Sequence, residues 1–140
     1  MEKIDWIRMA EYQQQLYEFS RSLLSHEQKK TLTSAEREIL SRIYLYPNEN
    51  TPILLSKSSK MKKEAISRLL KGLYEKKCIE KQNNIDDERS YKIIITDIGL
   101  AELKKDYDLL LQPFYNLRKK MGGDFELLFE LICKANNIIE

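Results

Sequence analysis

Apolar residues recur at Met9, Tyr12, Leu16, Phe19 and Leu23, and this spacing of three and four predicts one stripe of a long helix from Asp5 to about His26. No Gly or Pro interrupts it. Leu32-Thr33-Ser34-Ala35-Glu36 then reads as a second helix start. Thr33 can accept from the backbone N–H three positions on, Glu36 can reach back to the Thr33 N–H, and Leu32 stands where a hydrophobic staple belongs. That helix runs through Ile39, Leu40 and Ile43 and stops near Tyr46, because Pro47 lacks an N–H and disfavours the α conformation in the residue before it. Thr51 followed by Pro52 repeats the start signal, for a short helix to about Lys57. After a polar turn at Ser58-Ser59-Lys60, the stretch Met61–Lys77 puts Ile66, Leu69, Leu70 and Leu73 on one side of a helix and Glu64, Ser67, Arg68 and Lys71 on the other. Two helices joined by a short turn make a helix-turn-helix.

Beyond Cys78 the period changes. Ile79 and Lys81 on one side of Asn83-Asn84, and Tyr91 with the β-branched run Ile93-Ile94-Ile95-Thr96 on the other, predict two strands around a charged loop, Asn84–Ser90. A long helix is expected from Asp97 through Ala101, Tyr107, Leu110 and Phe114 to Met121, bent rather than ended by Pro113. Gly122-Gly123 breaks it, and Asp124 is placed to cap a last helix carrying Phe125, Leu128, Leu131, Ile132, Ala135 and Ile139. The expected fold is therefore mainly α with one small β-hairpin: a winged helix-turn-helix with long N- and C-terminal helices. One domain spans 1–140, with a winged-helix lobe at 32–97 and a helical dimerisation region made of 1–30 and 98–140.

Charge sharpens this picture. The net charge is +2, but residues 51–92 hold 11 Lys and Arg against 6 Asp and Glu, and the rest hold 13 against 16. A basic middle between acidic flanks is the electrostatic footprint expected for a polyanion partner, although a charge run on its own is more often a solvated face. With 140 residues, 4 Gly and 3 Pro, the chain suits one soluble core and not a disordered or low-complexity segment. No apolar run approaches the roughly 18 residues of a membrane span, and the N-terminus has no basic start followed by an apolar stretch, so a cytoplasmic protein without membrane contact is expected. Cys78 and Cys133 form no CxxC pair and His26 is the single histidine, which argues against a disulfide framework, a metal site or a cofactor. An enzyme is also disfavoured: there is no Gly-rich phosphate loop, no HExxH and no histidine to spare for a nucleophile.

The segments Leu32-Thr33 to Leu40, Leu69-Leu70-Lys71-Gly72-Leu73-Tyr74-Glu75-Lys76-Lys77, and Asp87-Glu88-Arg89 followed, after five intervening residues, by Ile95-Thr96-Asp97-Ile98-Gly99 carry a resemblance that covers nearly the whole chain. The last resembles the wing pattern D-x-R…L-T-x-x-G of the MarR family of bacterial transcription regulators, with Ile95 in place of Leu. The resemblance implies a homodimer with interlocked terminal helices, acting as a repressor on double-stranded DNA at a pseudopalindromic site and responding to a small aromatic effector. It places Lys62, Lys63, Ser67, Arg68 and Lys71 toward DNA, with Arg68 best suited to pair bidentately with guanine. It sends Arg89 into the minor groove, oriented by Asp87. An ordinary hairpin salt bridge from Arg89 to Asp86 or Glu88 is the alternative.

Where most relatives have Gly, this chain has Lys60 in the turn and Lys77 after the recognition helix, which would cost each roughly 1 kcal/mol if φ is positive there. Both add charge, and Lys60 joins the DNA-facing set. Ser56 stands for the usual Ala. Cys78 and Cys133 read as small core residues, with thiol sensing at Cys78, next to Lys76-Lys77, as the alternative. Tyr12, Tyr17, Tyr107 and Tyr115 are either an effector pocket or core and interface residues. A winged-helix module for protein partners is the competing function; it would need no cationic recognition face.

Overall fold

The computed structural model describes residues 3–24, 31–84 and 87–139, and at Asn84 and 87–90 the backbone alone. Its elements, in chain order, are α1 (Trp6–Leu24), α2 (Ser34–Leu45), a 3-10 turn (Pro47–Glu49), α3 (Pro52–Ser59), α4 (Lys63–Glu75), β1 (Ile79–Asn84), β2 (Asp87–Ile95), α5 (Asp97–Leu110), α6 (Gln112–Met121) and α7 (Gly123–Ile139). They form two compact units, Lys29–Tyr107 and Met1–Gln28 with Asp108–Glu140. Residues 98–107 thus fall in the winged-helix unit, with Leu103 in its core, whereas the sequence grouped them with the terminal helices.

The winged-helix unit closes over Leu32, Ile39, Leu40, Ile43, Leu55, Ile66, Leu70, Leu73, Cys78, Ile79, Ile93 and Leu103. These residues come from every predicted apolar stripe of that unit, so burial of those stripes positions the helices. The Thr33 capping box is complete: Glu36 N–H donates to Thr33 Oγ1 (3.1 Å) and Thr33 N–H donates to Glu36 Oε1 (2.9 Å). Thr51 caps α3 through Leu54 N–H, with Pro52 in its first turn. Two polar links that no local pattern announces tie α2 to α5. Arg37 Nε donates to the buried Asp106 carboxylate at 3.1 Å, and Tyr107 Oη donates to Ser41 Oγ at 2.8 Å.

The hairpin is antiparallel, with Ile79 opposite Ile95, Lys81 opposite Ile93 and Asn83 opposite Tyr91. Pairing continues to Asn84 opposite Asp87 after a bulge at Asn83/Asn84, so most of the expected loop 84–90 is strand. Inter-strand hydrogen bonds outlast the apolar alternation that marks a strand in sequence. The Ile93 N–H donates to Asn50 O (2.8 Å), which fastens β2 to the segment before α3.

In the second unit the long helix expected through Pro113 is divided. α5 ends at Leu110 and α6 starts at Gln112, because Pro113 has no N–H for the carbonyl four residues back and its ring crowds that carbonyl. The last helix begins at Gly123, with Asp124 inside its first turn instead of capping it; the charge still favours the helix N-terminus. The Phe125 and Phe129 rings meet at a tilt of 55° with centroids 4.9 Å apart, and the Phe114 ring centroid lies 6.2 Å from that of Phe129. Cys133, expected in a core, is exposed beside these rings.

Candidate nucleic-acid interface

α4 is the most strongly amphipathic element of the chain. Ile66, Leu70 and Leu73 are buried, while Lys62, Lys63, Glu64, Ser67, Arg68 and Lys71 are all exposed. Lys62 sits at the N-cap with its side chain free of any capping hydrogen bond, and Lys63 opens the helix. Two cations at a helix N-terminus oppose the macrodipole, a local conflict of about a few tenths of a kcal/mol that an adjacent phosphate would reverse. None of Lys60, Lys62, Lys63, Arg68 and Lys71 forms an ion pair with a described residue, in contrast to Arg37, Arg42, Lys76 and Arg118. Among the described residues, the face of α4 therefore presents these cations without ion-pair partners, with the Glu64 carboxylate beside them.

The turn before α4 is stitched by hydroxyls. Ser59 Oγ donates to Leu55 O (2.6 Å) and accepts from Met61 N–H, and Ser56 Oγ donates to Met61 O (2.6 Å). That last bond gives Ser56 a role an alanine there could not fill. Lys60 in this turn has φ 60° and ψ 24°, and Lys77 has φ 61°. Both lysines therefore take the left-handed backbone for which glycine is the usual residue. At Lys77 the reason is a Schellman closure: Cys78 N–H donates to Leu73 O (2.9 Å) and Lys77 N–H to Tyr74 O (3.0 Å). Lys60→Gly and Lys77→Gly should each raise the stability by about 0.5–1 kcal/mol in urea titrations, the relief of strain less the added freedom of the unfolded chain. If Lys60 also meets a phosphate, the first variant gains stability while losing DNA affinity.

The Ile95-Thr96-Asp97-Ile98-Gly99 segment acquires a physical account. Thr96 Oγ1 donates to Lys77 O (2.6 Å) and accepts from Gly99 N–H (3.0 Å), while Thr96 N–H donates to Cys78 O (2.9 Å). The start of α5 is thereby pinned to the turn that joins α4 to β1. Arg89 and Asp87 lie on the backbone of β2, but their side chains, like Asp86 entirely, fall outside the described residues; so does His26.

Cys78 is 1% exposed, and burial pushes its thiol up, helped by the Glu102 carboxylate and only partly offset by Lys76. A thiol held protonated and covered is a poor nucleophile, so the structure argues against the thiol-sensing alternative at this residue. Of the four tyrosines, Tyr107 packs against the core with its hydroxyl on Ser41, and Tyr12, Tyr17 and Tyr115 are exposed in the other unit. Arg8 and Arg21 lie 6.0 Å and 5.9 Å from the rings of Tyr12 and Tyr17.

A helix pair with a cationic second helix, followed by a hairpin buttressed on the same core, defines a winged helix-turn-helix protein. No family model matches the chain, nor does any curated protein. Solved structures do. A MarR/EmrR family transcriptional regulator from Acinetobacter sp. ADP1 is 25% identical, with a TM-score of 0.70 over 97% of this chain and 98% of its own. A cysteine-to-serine mutant of MarR from E. coli, complexed with operator DNA, is 22% identical with a TM-score of 0.65 over 94% and 98%. PcaV from Streptomyces coelicolor, in complex with its natural ligand, is 17% identical with a TM-score of 0.62 over the full length of both chains. The chain thus has the fold of these winged helix-turn-helix regulators over nearly its whole length.

Proposed function

We propose that this protein is a DNA-binding transcription regulator, a ligand-responsive repressor that reads a pseudopalindromic operator as a homodimer. The observation that carries the reading is the exposed face of α4, where Lys62, Lys63, Arg68 and Lys71 stand free of ion pairs with described residues. Such a face suits a helix laid in the major groove, with lysines on phosphates and one planar guanidinium on a base edge. Arg68→Ala should weaken specific binding by about 1–3 kcal/mol and relax base preference at one symmetric pair of positions. Lys71→Ala should weaken all sequences alike and lower the salt slope by about 1. Titration of both variants on operator and random duplexes over a salt series checks this; unchanged binding by Arg68→Ala would refute the assignment. A protein-docking module would retain the fold and fail to shift random DNA even at low salt.

The dimer follows from the second unit. Trp6 is 78% exposed, Leu16 62% and Ile138 71%, with Ile7, Met9, Leu127 and Leu131 at least half exposed. Large apolar side chains on helices at both ends of the chain ask for a second copy. Sedimentation at micromolar concentration should give twice 16.7 kDa, and Leu16→Glu should shift it toward the monomer. The effector that fits the sequence resemblance is a small aromatic molecule. Among the described residues no helix is long and apolar enough to cross a membrane, and no group of three His, Cys, Asp or Glu could hold a metal. The solved structures it resembles are regulators and not enzymes.

A further inference from the structure

Strand alternation places Ile79, Lys81 and Asn83 on one face of β1, and Ile95, Ile93 and Tyr91 on the matching face of β2. Ile79 and Ile93 are buried, so this face starts inward, yet its second position on β1 is the exposed Lys81. Lys81 and Tyr91 are diagonal neighbours across the ladder, and the Lys81 ammonium lies 4.5 Å from the Tyr91 ring centroid. It also lies 5.4 Å from the centroid of Tyr74, on the last turns of α4. The ammonium thus stands over two aromatic rings, one on the hairpin and one on the recognition helix. They border a hollow of about 300 Å³ that also meets Ser67 and Lys71, two of the DNA-facing residues of α4. The Tyr74 hydroxyl is covered and has no hydrogen-bond partner among the described residues, so the ring is held by its faces and not by its polar end.

We infer that Lys81, Tyr74 and Tyr91 form a clamp that fixes the wing at a set angle to the recognition helix, making Lys81 a positioning residue for the wing and not a DNA contact. The inference rests on the reading of this protein as a DNA-binding regulator, because its consequence is felt at the wing. Strand β2 carries Arg89 two residues from Tyr91, so holding the hairpin at its middle determines where the wing meets the DNA. A cation held by two rings suits such a joint, since it constrains direction without closing the gap with a rigid apolar plug. The clamp is invisible to local sequence patterns, since its three members come from α4, β1 and β2.

The test has one readout in the free protein and one on DNA. Lys81→Met keeps the aliphatic stem and removes the charge, and Lys81→Arg keeps a cation that stacks on aromatic faces. In hydrogen exchange of the free protein, Lys81→Met should speed exchange of the hairpin amides about threefold to tenfold and leave α2 and α5 unchanged; Lys81→Arg should stay within about twofold of the wild type. On operators matched except for A·T-rich or G·C-rich flanks, the wild-type preference for A·T flanks should fall at least about threefold in Lys81→Met, with the salt slope unchanged and the preference restored in Lys81→Arg. A salt slope reduced by about 1 with unaltered flank preference would make Lys81 a phosphate contact and overturn the clamp. Unchanged hairpin exchange would overturn it whatever the DNA result, as would a wild type indifferent to flanks. If exchange responds but the wild type binds no DNA specifically, the regulator reading fails instead.

Discussion

Gly99→Ala should destabilise the winged-helix unit by about 3 kcal/mol, the upper end of what overpacking costs, because the atom in the way is backbone. A Cβ on Gly99 would lie 2.2 Å from the Cys78 carbonyl oxygen and 2.9 Å from its carbon. That carbonyl already accepts the Thr96 N–H at 2.9 Å. Moving it away would break this bond and pull on the Schellman turn in which Lys77 is held at positive φ. No side-chain rotation relieves the contact, so α5 must shift as a body away from the α4–β1 turn. Urea unfolding at fixed protein concentration should show a lower midpoint with an unchanged m-value, and the thermal midpoint should drop by more than about 10 °C. Thr96→Val, which removes only the hydroxyl bridging Lys77 O and Gly99 N–H, should cost about 1–2 kcal/mol. A Gly99→Ala protein as stable as the wild type would mean that α5 does not approach the turn this closely.

The same residues show what could be read from sequence. The periodic stripes of α2 and α4, the Thr33 capping box and the Thr51-Pro52 start are local patterns, in which cause and signal lie within a few residues, and each stands in the structure where the pattern puts it. The free face of α4 followed from the same periodicity. Gly99 was visible only as part of a family resemblance; its reason, a carbonyl 21 positions earlier, is a tertiary fact. The division at Pro113 needed the carbonyl geometry, since the apolar spacing continues past it without a break. The hairpin was underestimated because its outer residues are polar, and strand pairing between polar residues has no alternating signature. Lys60 and Lys77 were legible as departures from relatives, and the positive φ at each turns that departure into strain. Pairings between distant residues, such as Arg37 with Asp106 and Lys81 with two tyrosines, have no counterpart in the linear pattern.

Glu36→Gln should cost about 3 kcal/mol at neutral pH and flatten the acid side of the stability profile. In sequence Glu36 is half of a capping box, worth about 1 kcal/mol. In the structure it is 5% exposed and its Oε1 also accepts from Lys76 Nζ at 2.6 Å, while Lys76 Nζ donates to Thr31 O at 2.7 Å. One carboxylate thereby joins the start of α2 to the end of the recognition helix. Gly72 lies so near that a Cβ there would meet Glu36 Oε2 at 2.7 Å, which leaves the carboxylate little room to turn away. Burial raises its pKa, but the hydrogen bonds from Lys76 and the Thr33 N–H, with the Lys76 charge, outweigh burial and hold the carboxyl below its ordinary value of 4.5.

The sign of the pH dependence follows from that direction. A carboxyl whose folded pKa is depressed contributes stability that is complete above its unfolded pKa and is lost as pH falls through the folded one. Wild-type stability should therefore fall below about pH 4.5 more steeply than that of Glu36→Gln, and the two curves should converge in acid. Breaking a buried pair typically costs about 3–5 kcal/mol, and the lower figure applies here because Lys76 keeps a third of its side chain in water and can rehydrate. Lys76→Met is the complementary change: it leaves a covered carboxylate without its cation, so the Glu36 pKa should rise above 4.5 and stability should now increase on mild acidification. The double variant should be less destabilised than the two single losses added together, with a coupling of about 1–3 kcal/mol. Strict additivity in that cycle, measured by urea titration at about pH 7, would show that Glu36 acts as a helix cap alone and that α2 and the recognition helix are held together by their apolar faces.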